Sequence, residues 1–326
     1  MFNNKSILIT GGSGLFGRCF IETILRDYPG VKKIIIYSRD VQKQEEILAL
    51  YPKKQFPQLR YFIGDVRDKD RLIRACGGVD IIVHAATIAS IEAAEYNPEE
   101  CVKTNIIGAE NVIDAALKNN VHDVVALSSD KACAPSNLYG ATQLVSDKLF
   151  VAANNLTGSN DIKFSVVRYG NVMGSKGSVI PLFIARKKLG GRTLPITDKR
   201  MTRFIISNQE VLSAVEYALE NHMGGEIFIP KVSSYKVTDL ATAIAPEMDQ
   251  EEIGRRPGEK IDEKLISSAD SQVTLDLGKF YAILPSMVYT GHRLLEDYKE
   301  HYNAELVPEG FHYSSNDNPV FETVDS

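Results

Sequence analysis

Short apolar runs alternate with helical patterns along the first half of the chain. Apolar residues recur at Phe20, Ile21, Ile24 and Leu25, which is the spacing of an amphipathic helix. Continuous apolar runs are typical of strands buried on both faces of a parallel sheet, and here they cover residues 6–10, 33–37, 59–63, 80–86, 124–127 and 164–169. The pattern therefore predicts an α/β fold with a doubly wound parallel sheet.

A glycine-rich turn follows the first run directly. It reads Gly11-Gly12-Ser13-Gly14-Leu15-Phe16-Gly17 and is followed by the helix and a second strand. In this βαβ context, glycines let the backbone approach a pyrophosphate at the helix N-terminus and allow close helix–strand packing. We therefore expect a dinucleotide cofactor, contacted by Thr10, Gly11, Gly14, Leu15, Phe16 and Gly17.

The end of the second strand indicates which dinucleotide binds. Ser38, Arg39 and Lys43 can hold a ribose 2′-phosphate and favour NADP, whereas Asp40 keeps NAD possible. Arg39 alternatively forms a surface salt bridge. After the third strand, Asp65 either accepts from the adenine amino group or caps a helix. The remaining residues expected at the cofactor are Val66, Ala85, Ala86, Asn105, Tyr139 and Gln143, whereas His84 is expected to pack in the core.

The fifth apolar run leads directly into the stretch LSSDKACAPSNLYGATQ, residues 127–143. In an open α/β sheet, ligands bind just beyond the carboxyl ends of the strands. Ser129, Asp130, Lys131 and Tyr139 are therefore expected to share one crevice, as candidates for acid–base catalysis. The alternative is a solvated charge pair and a surface tyrosine in a loop.

The periodic pattern ends near residue 170. We assign residues 1–170 to a dinucleotide-binding Rossmann domain and 171–326 to a smaller substrate-binding lobe and tail, with some later segments packing back on the first domain. A few basic residues on expected loops suit a phosphorylated small molecule, although they alternatively form salt bridges at the rim. The candidate substrate residues are Asn171, Ser178, Val179, Pro181, Thr202, Arg203, Arg256, Glu259 and Lys260. Residues 313–326 are expected to form a loose acidic tail.

Composition narrows the classes of partner. The 326 residues include 37 basic and 42 acidic side chains without a dense basic block, which argues against nucleic acid. Four scattered cysteines lack the spacing of metal ligands. We therefore expect free thiols and no bound metal. The chain enters its first strand almost at once and has no apolar run of membrane-spanning length. We therefore expect a cytoplasmic protein with no membrane partner.

Several longer motifs occur together along the chain. They are the glycine turn, YSRD at 37–40, GDVRD at 64–68, AEYNP at 94–98, SDK at 129–131, NLYGAT at 137–142, VRYGNV at 167–172, MTRF at 201–204 and RPGEK at 256–260. Together they resemble one group of extended short-chain dehydrogenases/reductases, the inverting UDP-N-acetylglucosamine 4,6-dehydratases. The likeness runs from the first strand to about Asn318, and Ser129-Asp130-Lys131 is typical of the dehydratase branch.

The resemblance implies a redox-neutral dehydration on tightly held NADP, at the start of pseudaminic acid synthesis for flagellin glycosylation. Tyr139 would take the proton of the sugar 4-hydroxyl, Lys131 the C5 proton, and Asp130 would protonate the departing 6-hydroxyl. Inversion follows if C5 is reprotonated from the opposite face. Arg256, Lys260 and the loop 174–178 would hold the diphosphate and uridine. The resemblance also implies a homo-oligomer, a hexamer.

Four positions depart from the family pattern. Gln143 stands where the family has a lysine, Ala89-Ser90 where it has Lys-His, Glu92 where proline is usual and Asp262 in place of a histidine. Three alternatives therefore stay open: a relative that forms or processes the 5,6-ene sugar, a 4-epimerase, and a non-catalytic NADP-sensing protein.

Overall fold

The computed structural model describes residues 1–158, 160–175, 178–285 and 295–324. Among the sequence-based expectations, Lys176 and Gly177 of the loop 174–178 lie outside these residues. Within them, no helix is both long enough and apolar enough to cross a lipid bilayer.

The strands of the fold number seventeen within the described residues. The first six confirm the apolar runs of the sequence. The strands are β1 (Ser6–Thr10), β2 (Lys33–Ser38), β3 (Leu59–Ile63), β4 (Ile81–His84), β5 (Asp123–Ser129), β6 (Lys163–Tyr169), β7 (Asn171–Val172), β8 (Thr193–Ile196), β9 (Thr202–Ile206), β10 (Ile227–Pro230), β11 (Ser234–Lys236), β12 (Asp249–Glu252), β13 (Lys264–Ile266), β14 (Thr274–Asp276), β15 (Phe280–Ile283), β16 (Glu305–Leu306) and β17 (Tyr313–Ser314).

Helices connect most of these strands. Asp40, Asp68, Ser90, Asn137 and Ser207 each cap a helix through their side chain, as short polar residues do where backbone N–H groups lack partners. The α-helices are α1 (Leu15–Asp27), α2 (Val41–Leu50), α3 (Lys69–Ala75), α4 (Ile91–Tyr96), α5 (Pro98–Val102), α6 (Gly108–Asn119), α7 (Leu138–Ala153), α8 (Val179–Lys188), α9 (Asn208–Asn221), α10 (Val237–Ile244) and α11 (Leu295–Tyr302).

Ten strands form one sheet in the order β16-β14-β15-β10-β6-β5-β4-β1-β2-β3. The strands from β3 to β10 along this order pair in parallel, whereas β15, β14 and β16 are antiparallel. The order 3-2-1-4-5-6 is that of a Rossmann fold, which confirms the expected doubly wound sheet. Four of the ten strands come from beyond residue 170 and complete one side of the sheet.

Apolar side chains cover both faces of this sheet. One layer packs around Leu8, Val124 and Phe164, and the opposite layer around Ile7, Val125 and Phe228. Adjacent strand residues therefore point to opposite cores, which explains the uninterrupted apolar runs. A separate small core includes Phe183 and Tyr235, and it supports the second lobe.

The C-terminal segment is packed rather than loose, so the expectation of a loose tail is wrong for most of it. β17 pairs with β13; Ser315 N donates to Glu263 O at 2.8 Å, and Ser315 Oγ accepts from Glu263 N at 3.0 Å. Asn318 is buried and donates to Val232 O at 2.7 Å and to Ser234 Oγ at 2.9 Å. The acidic composition of this segment favoured a loose tail, but a few of its polar residues are buried and hold it against the rest of the protein.

Asn318→Ala should destabilise the protein by about 1–3 kcal/mol, because it leaves the buried Val232 carbonyl and Ser234 hydroxyl without this donor. Chemical denaturation measures the loss. The exposed Asn316→Ala is the matched control and should change the free energy of unfolding little. Equal stability of the two variants would contradict the structural role of Asn318.

Candidate active site

The glycine turn lies at the carboxyl ends of β1 and β4. Gly11 has a φ of +66°, and a Cβ there would lie 2.9 Å from the backbone of Ala85. A Cβ on Gly17 would lie 2.3 Å from Gly12 O, so only glycine lets α1 approach the turn this closely. Leu15 is 46% exposed, whereas Phe16 packs against both cores.

A cavity opens beside this turn, and it joins most of the residues expected at the cofactor. Its lining includes the glycine turn, the carboxyl ends of β2 and β3 and the loop after β4, which is where a Rossmann fold binds a dinucleotide. Among the expected residues it is lined by Gly11, Gly14, Ser38, Arg39, Lys43, Asp65, Val66, Ala85 and Ala86; Ser13, Tyr37, Asp40, Gly64, Thr87 and Thr104 also line it.

Thr10 does not line the cavity, and its side chain instead holds the loop after β4. Its Oγ1 accepts from Ala85 N at 3.1 Å and Ala86 N at 3.2 Å, and lies 2.8 Å from His84 Nδ1. His84 is buried against Phe150, which confirms a packed core histidine. Burial lowers its pKa to about 4.

The rim at the end of β2 carries the residues that distinguish the two dinucleotides. Asp40 caps α2, because its carboxylate accepts from Lys43 N and pairs with Lys43 Nζ at 3.0 Å. Ser38 Oγ accepts from Gln44 at 2.9 Å. The Arg39 guanidinium is half exposed and lies 3.7 Å from Asp65. Both residues line the cavity. The Asp40 carboxylate is bound by its own helix, whereas the Arg39 guanidinium is half exposed.

Asp65 lines the cavity and does not cap the following helix. Asp68 is that cap, accepting from Arg71 N at 2.9 Å. The Asp65 carboxylate instead accepts from the backbone and guanidinium of Arg67. Burial raises the pKa of Asp65, but the hydrogen bonds from Arg67 outweigh it and hold the pKa below its usual range.

Asn105 braces the loop after β4 against α7. It lies in a π-helical segment, Lys103–Ile107, and such irregular turns are frequent at functional sites. Its Oδ1 accepts from Ile88 N at 2.8 Å and Thr87 Oγ1 at 3.0 Å, and its Nδ2 donates to Thr142 at 3.0 Å. Gln143 is buried beside it and accepts from Thr87 at 3.2 Å.

Asp130 and Lys131 form a short 3-10 turn directly after β5. Asp130 is fully buried, and its Oδ1 accepts from Lys131 Nζ at 2.9 Å and from Ser129 Oγ at 2.8 Å. Lys131 Nζ also donates to Asn171 Oδ1 at 2.9 Å. The pair is therefore not a solvated surface contact.

Tyr139 lies in the first turn of α7, next to this pair. Gly140 permits the contact, because a Cβ there would lie 2.2 Å from Lys131 O. Tyr139 is 7% exposed. Burial raises its pKa to about 12, although a hydrogen bond with Ser129 and the charge of Lys131 act in the opposite direction. The four residues of the predicted crevice are together.

Glu263 is a second buried carboxylate at this pair. Its Oε1 lies 3.7 Å from Lys131 Nζ, and its side chain is 5% exposed. Burial lowers the pKa of Lys131, but the charges of Asp130 and Glu263 outweigh burial and hold the pKa above its usual range. The two carboxylates thus favour the charged form of Lys131.

Two of the candidate substrate residues make their hydrogen bonds within the protein. Arg203 is buried and donates to the carbonyls of Thr202, Lys260 and Ile261. Thr202 Oγ1 lies 2.8 Å from Ser315 Oγ. Both residues thus hold the segment that carries Lys260 against the rest of the lobe.

Most of the other candidates lie on two segments, residues 256–260 and residues 178–181. Lys260 Nζ points inward and donates to Cys133 O at 2.8 Å. Arg256 is half exposed, and Glu259 accepts from its backbone N–H. Ser178 begins α8, followed by Val179 and Pro181, all only partly buried. Arg256 is thus the more accessible of these two cations.

Comparison with known proteins agrees with this arrangement. The family described as "Polysaccharide biosynthesis protein" matches residues 7–285. A protein of Campylobacter jejuni subsp. jejuni serotype O:2 named "UDP-N-acetylglucosamine 4,6-dehydratase (inverting)" is 51% identical over 326 residues, covering 98% of this chain and 95% of that one. A UDP-glucose 4-epimerase of Rickettsia canadensis is 41% identical over 292 residues, covering 87% and 84% of the two chains.

The chain belongs to the inverting UDP-N-acetylglucosamine 4,6-dehydratase family of extended short-chain dehydrogenases/reductases. The X-ray structure of Pen from Bacillus thuringiensis superposes with a TM-score of 0.88 at 33% identity, covering 100% of this chain and 96% of that one. DesIV, a dTDP-glucose 4,6-dehydratase from Streptomyces venezuelae solved with NAD and TYD, shares the fold at a TM-score of 0.72 and 23% identity, covering 90% and 97%.

Two of the departures from the family pattern have clear places in the structure. Ser90 caps α4 by accepting from Ala93 N at 3.2 Å. Glu92 pairs with Arg256 across the cleft mouth at 3.0 Å. The substitutions thus alter the rim of the site, whereas Asp130, Lys131 and Tyr139 keep the family motif.

Sequence reasoning missed Glu263 and Tyr235. Glu263 lies three residues beyond the RPGEK motif, and Tyr235 is a buried residue of β11 whose hydroxyl bonds to Asn171. No spacing signal marks either residue. Their position depends on contacts between segments far apart in the chain.

Proposed function

We propose that this protein catalyses the NADP-dependent 4,6-dehydration of UDP-N-acetylglucosamine, with inversion at C5, to a UDP-4-keto-6-deoxy-hexosamine. The observation that carries the proposal is the buried Asp130–Lys131 pair beside Tyr139 and the dinucleotide cavity. Water elimination needs an acid and a base held together. The product would feed pseudaminic acid synthesis for flagellin glycosylation in the cytoplasm, and the family resemblance favours a homohexamer.

Each side chain has a step suited to its place. Tyr139 takes the proton of the sugar 4-hydroxyl during oxidation at C4. The resulting ketone acidifies the C5 proton, which Lys131 removes as an amine. Asp130 gives a proton to the departing 6-hydroxyl, which leaves as water. Bound NADP would supply the chemistry of accepting a hydride and returning it.

The proton on the Asp130–Lys131 pair has to sit on Asp130 before elimination. The Nζ atom of Lys131 and the Oδ1 atom of Asp130 share a hydrogen bond of 2.9 Å. Transfer along this hydrogen bond gives the amine base and the carboxylic acid together, without a proton from solvent. Removal of the C5 proton and loss of water then restore the starting charges of both residues.

A nicotinamide dinucleotide is supported by the glycine turn and by the fold shared with DesIV, whose structure holds NAD. NADP is favoured over NAD by the rim of the cavity. Arg39 is placed there with its guanidinium half exposed, while Asp40 caps α2. Arg256, Lys260 and the loop that ends at Ser178 would hold the diphosphate and uridine of the substrate. Asn171, Val179, Pro181 and Glu259 would contact the substrate nearby, whereas Thr202 and Arg203 would support the segment that carries Lys260.

A 4-epimerase is the second candidate, favoured by the identity to the Rickettsia canadensis protein. Epimerisation requires only Tyr139 and the dinucleotide, so it leaves Asp130 and Lys131 without a step. An enzyme that stops at the 5,6-ene, and a non-catalytic NADP sensor, remain the further alternatives.

Incubation with UDP-N-acetylglucosamine in heavy water separates these functions. We expect the sugar to lose one water and to gain one deuterium at C5, so that the C5 proton signal is missing from the proton spectrum. Lys131→Ala should bind UDP but lose C5 exchange, by about 10²–10⁴-fold in rate. A vinyl signal would indicate the 5,6-ene, the 4-epimer would indicate an epimerase, and an unchanged sugar would indicate the sensor.

The cofactor preference should depend on Arg39. Arg39→Ala should lower the preference for NADP over NAD by about ten-fold or more, because it removes a charged hydrogen-bond donor to the 2′-phosphate. Titration of cofactor-free protein with both nucleotides measures the change, and the exposed Arg26→Ala is the control. Purified protein that releases mostly NAD on denaturation would overturn the NADP assignment.

Gln143→Lys should lower the pKa of Tyr139 by about one unit, because it places a positive charge four residues along the same helix face. The rise of activity with pH should move down by the same amount. Gln143→Met is the uncharged control of similar length. An unmoved profile together with an active Tyr139→Phe would show that Tyr139 is not the base for the 4-hydroxyl.

A further inference from the structure

Glu263 stands between the two lysines of the cleft. Its Oε1 lies 3.7 Å from Lys131 Nζ, and its Oε2 lies 3.6 Å from Lys260 Nζ. Its Oε2 has no hydrogen-bond partner among the described residues. The backbone of Glu263 is held on both sides by Ser315, which accepts from Glu263 N at 3.0 Å and donates to Glu263 O at 2.8 Å.

The surroundings of Lys131 change during the proposed reaction. In the resting pair, Asp130 and Glu263 both offer negative charge to Lys131, while the nearby Arg203 opposes it. When Asp130 carries the proton that it will give to the leaving hydroxyl, its charge is gone. Glu263 is then the remaining carboxylate that ion-pairs with Lys131 within the described residues.

Loss of that charge matters because a buried amine is a poor base. Burial disfavours the ammonium form of a lysine, and a C–H group next to a ketone is a weak acid. Efficient proton transfer therefore requires a base of high proton affinity. A fixed anion beside the amine provides that affinity, provided that it does not itself take up the proton. Lys260 Nζ lies 3.6 Å from Glu263 Oε2 and places a positive charge beside this carboxylate.

We propose that Glu263 is a positioning residue for Lys131, which holds the lysine nitrogen towards Asn171 and sustains its basicity while Asp130 is protonated. The inference rests on the proposed dehydration. In the step concerned, the C5 proton moves to the Lys131 amine and the C5–H electron pair forms the C5=C6 bond. The C6–O bond breaks, and the Asp130 proton joins the leaving oxygen as water. No proton moves to or from Glu263 in this step.

The test is Glu263→Gln, which keeps the shape of the side chain and removes its charge. We expect deuterium exchange at C5 to slow by about ten-fold, with UDP affinity within about two-fold of the native protein. A substrate deuterated at C5 should show a larger isotope effect, and reduced cofactor should accumulate in a single turnover. Glu263→Asp keeps the charge and should recover part of the exchange rate.

The exposed Glu309→Gln is the matched control and should exchange like the native protein. Native exchange in Glu263→Gln would overturn the inference, as would equal losses in Glu263→Gln and Glu263→Asp, which would indicate packing alone. If Glu263→Gln does not fold, the C5 exchange rate of Glu263→Ser is measured in its place and compared with that of Glu263→Asp. Failure of the native protein to dehydrate the sugar would refute the proposed function itself, so the two failures are distinct.

Discussion

The structure depends on a group of buried charges at the carboxyl edge of the sheet. Asp130 is fully buried and Glu263 nearly so, and ionised carboxylates are stable inside a protein only when cations or hydrogen bonds compensate them. Lys131 and Lys260 supply those cations. Removing Lys131 would leave the buried Asp130 without its cation, so the chemistry of the site and its stability depend on the same ion pair.

These charges also connect segments that lie far apart in the chain. Lys131 follows β5 of the main sheet, whereas Lys260 and Glu263 precede β13, whose Leu265 and Ile266 pack in the same core as Val124. Lys260 binds the carbonyl of Cys133, two residues after Lys131. Nearby, buried Arg168 of β6 pairs with Asp147 of α7 at 2.8 Å and donates to Leu265 O. The segment that carries Lys260 and Glu263 is thus held directly against the Asp130–Lys131 turn.

The fold by itself does not select the reaction. Dehydratases and epimerases share this sheet and glycine turn, as the similarity to proteins of both names shows, and function follows from the groups placed at the site. Here the distinguishing groups are an acid and an amine in hydrogen-bond contact beside a buried tyrosine. That arrangement suits loss of water more than simple inversion of a hydroxyl.

Features that depend on neighbours along the chain could be predicted from the amino-acid sequence. Strand positions followed from runs of apolar residues, with β1 and β3 at the expected bounds. The glycine turn and the crevice of Asp130, Lys131 and Tyr139 followed from short spacings after one strand. These features are local, because side-chain period and turn chemistry act over a few residues.

The contacts between residues far apart in the chain became visible in the folded structure. It placed Glu263 beside Lys131, turned Lys260 inward and packed the C-terminal segment around Asn318. It also gave the helix cap to Asp68 rather than Asp65, although the two have the same chemistry. Such contacts join residues up to about a hundred or more positions apart, and a polar side chain carries no local mark of its distant partner. Their physical cause is the need to satisfy buried polar groups, which exists only once the chain has folded.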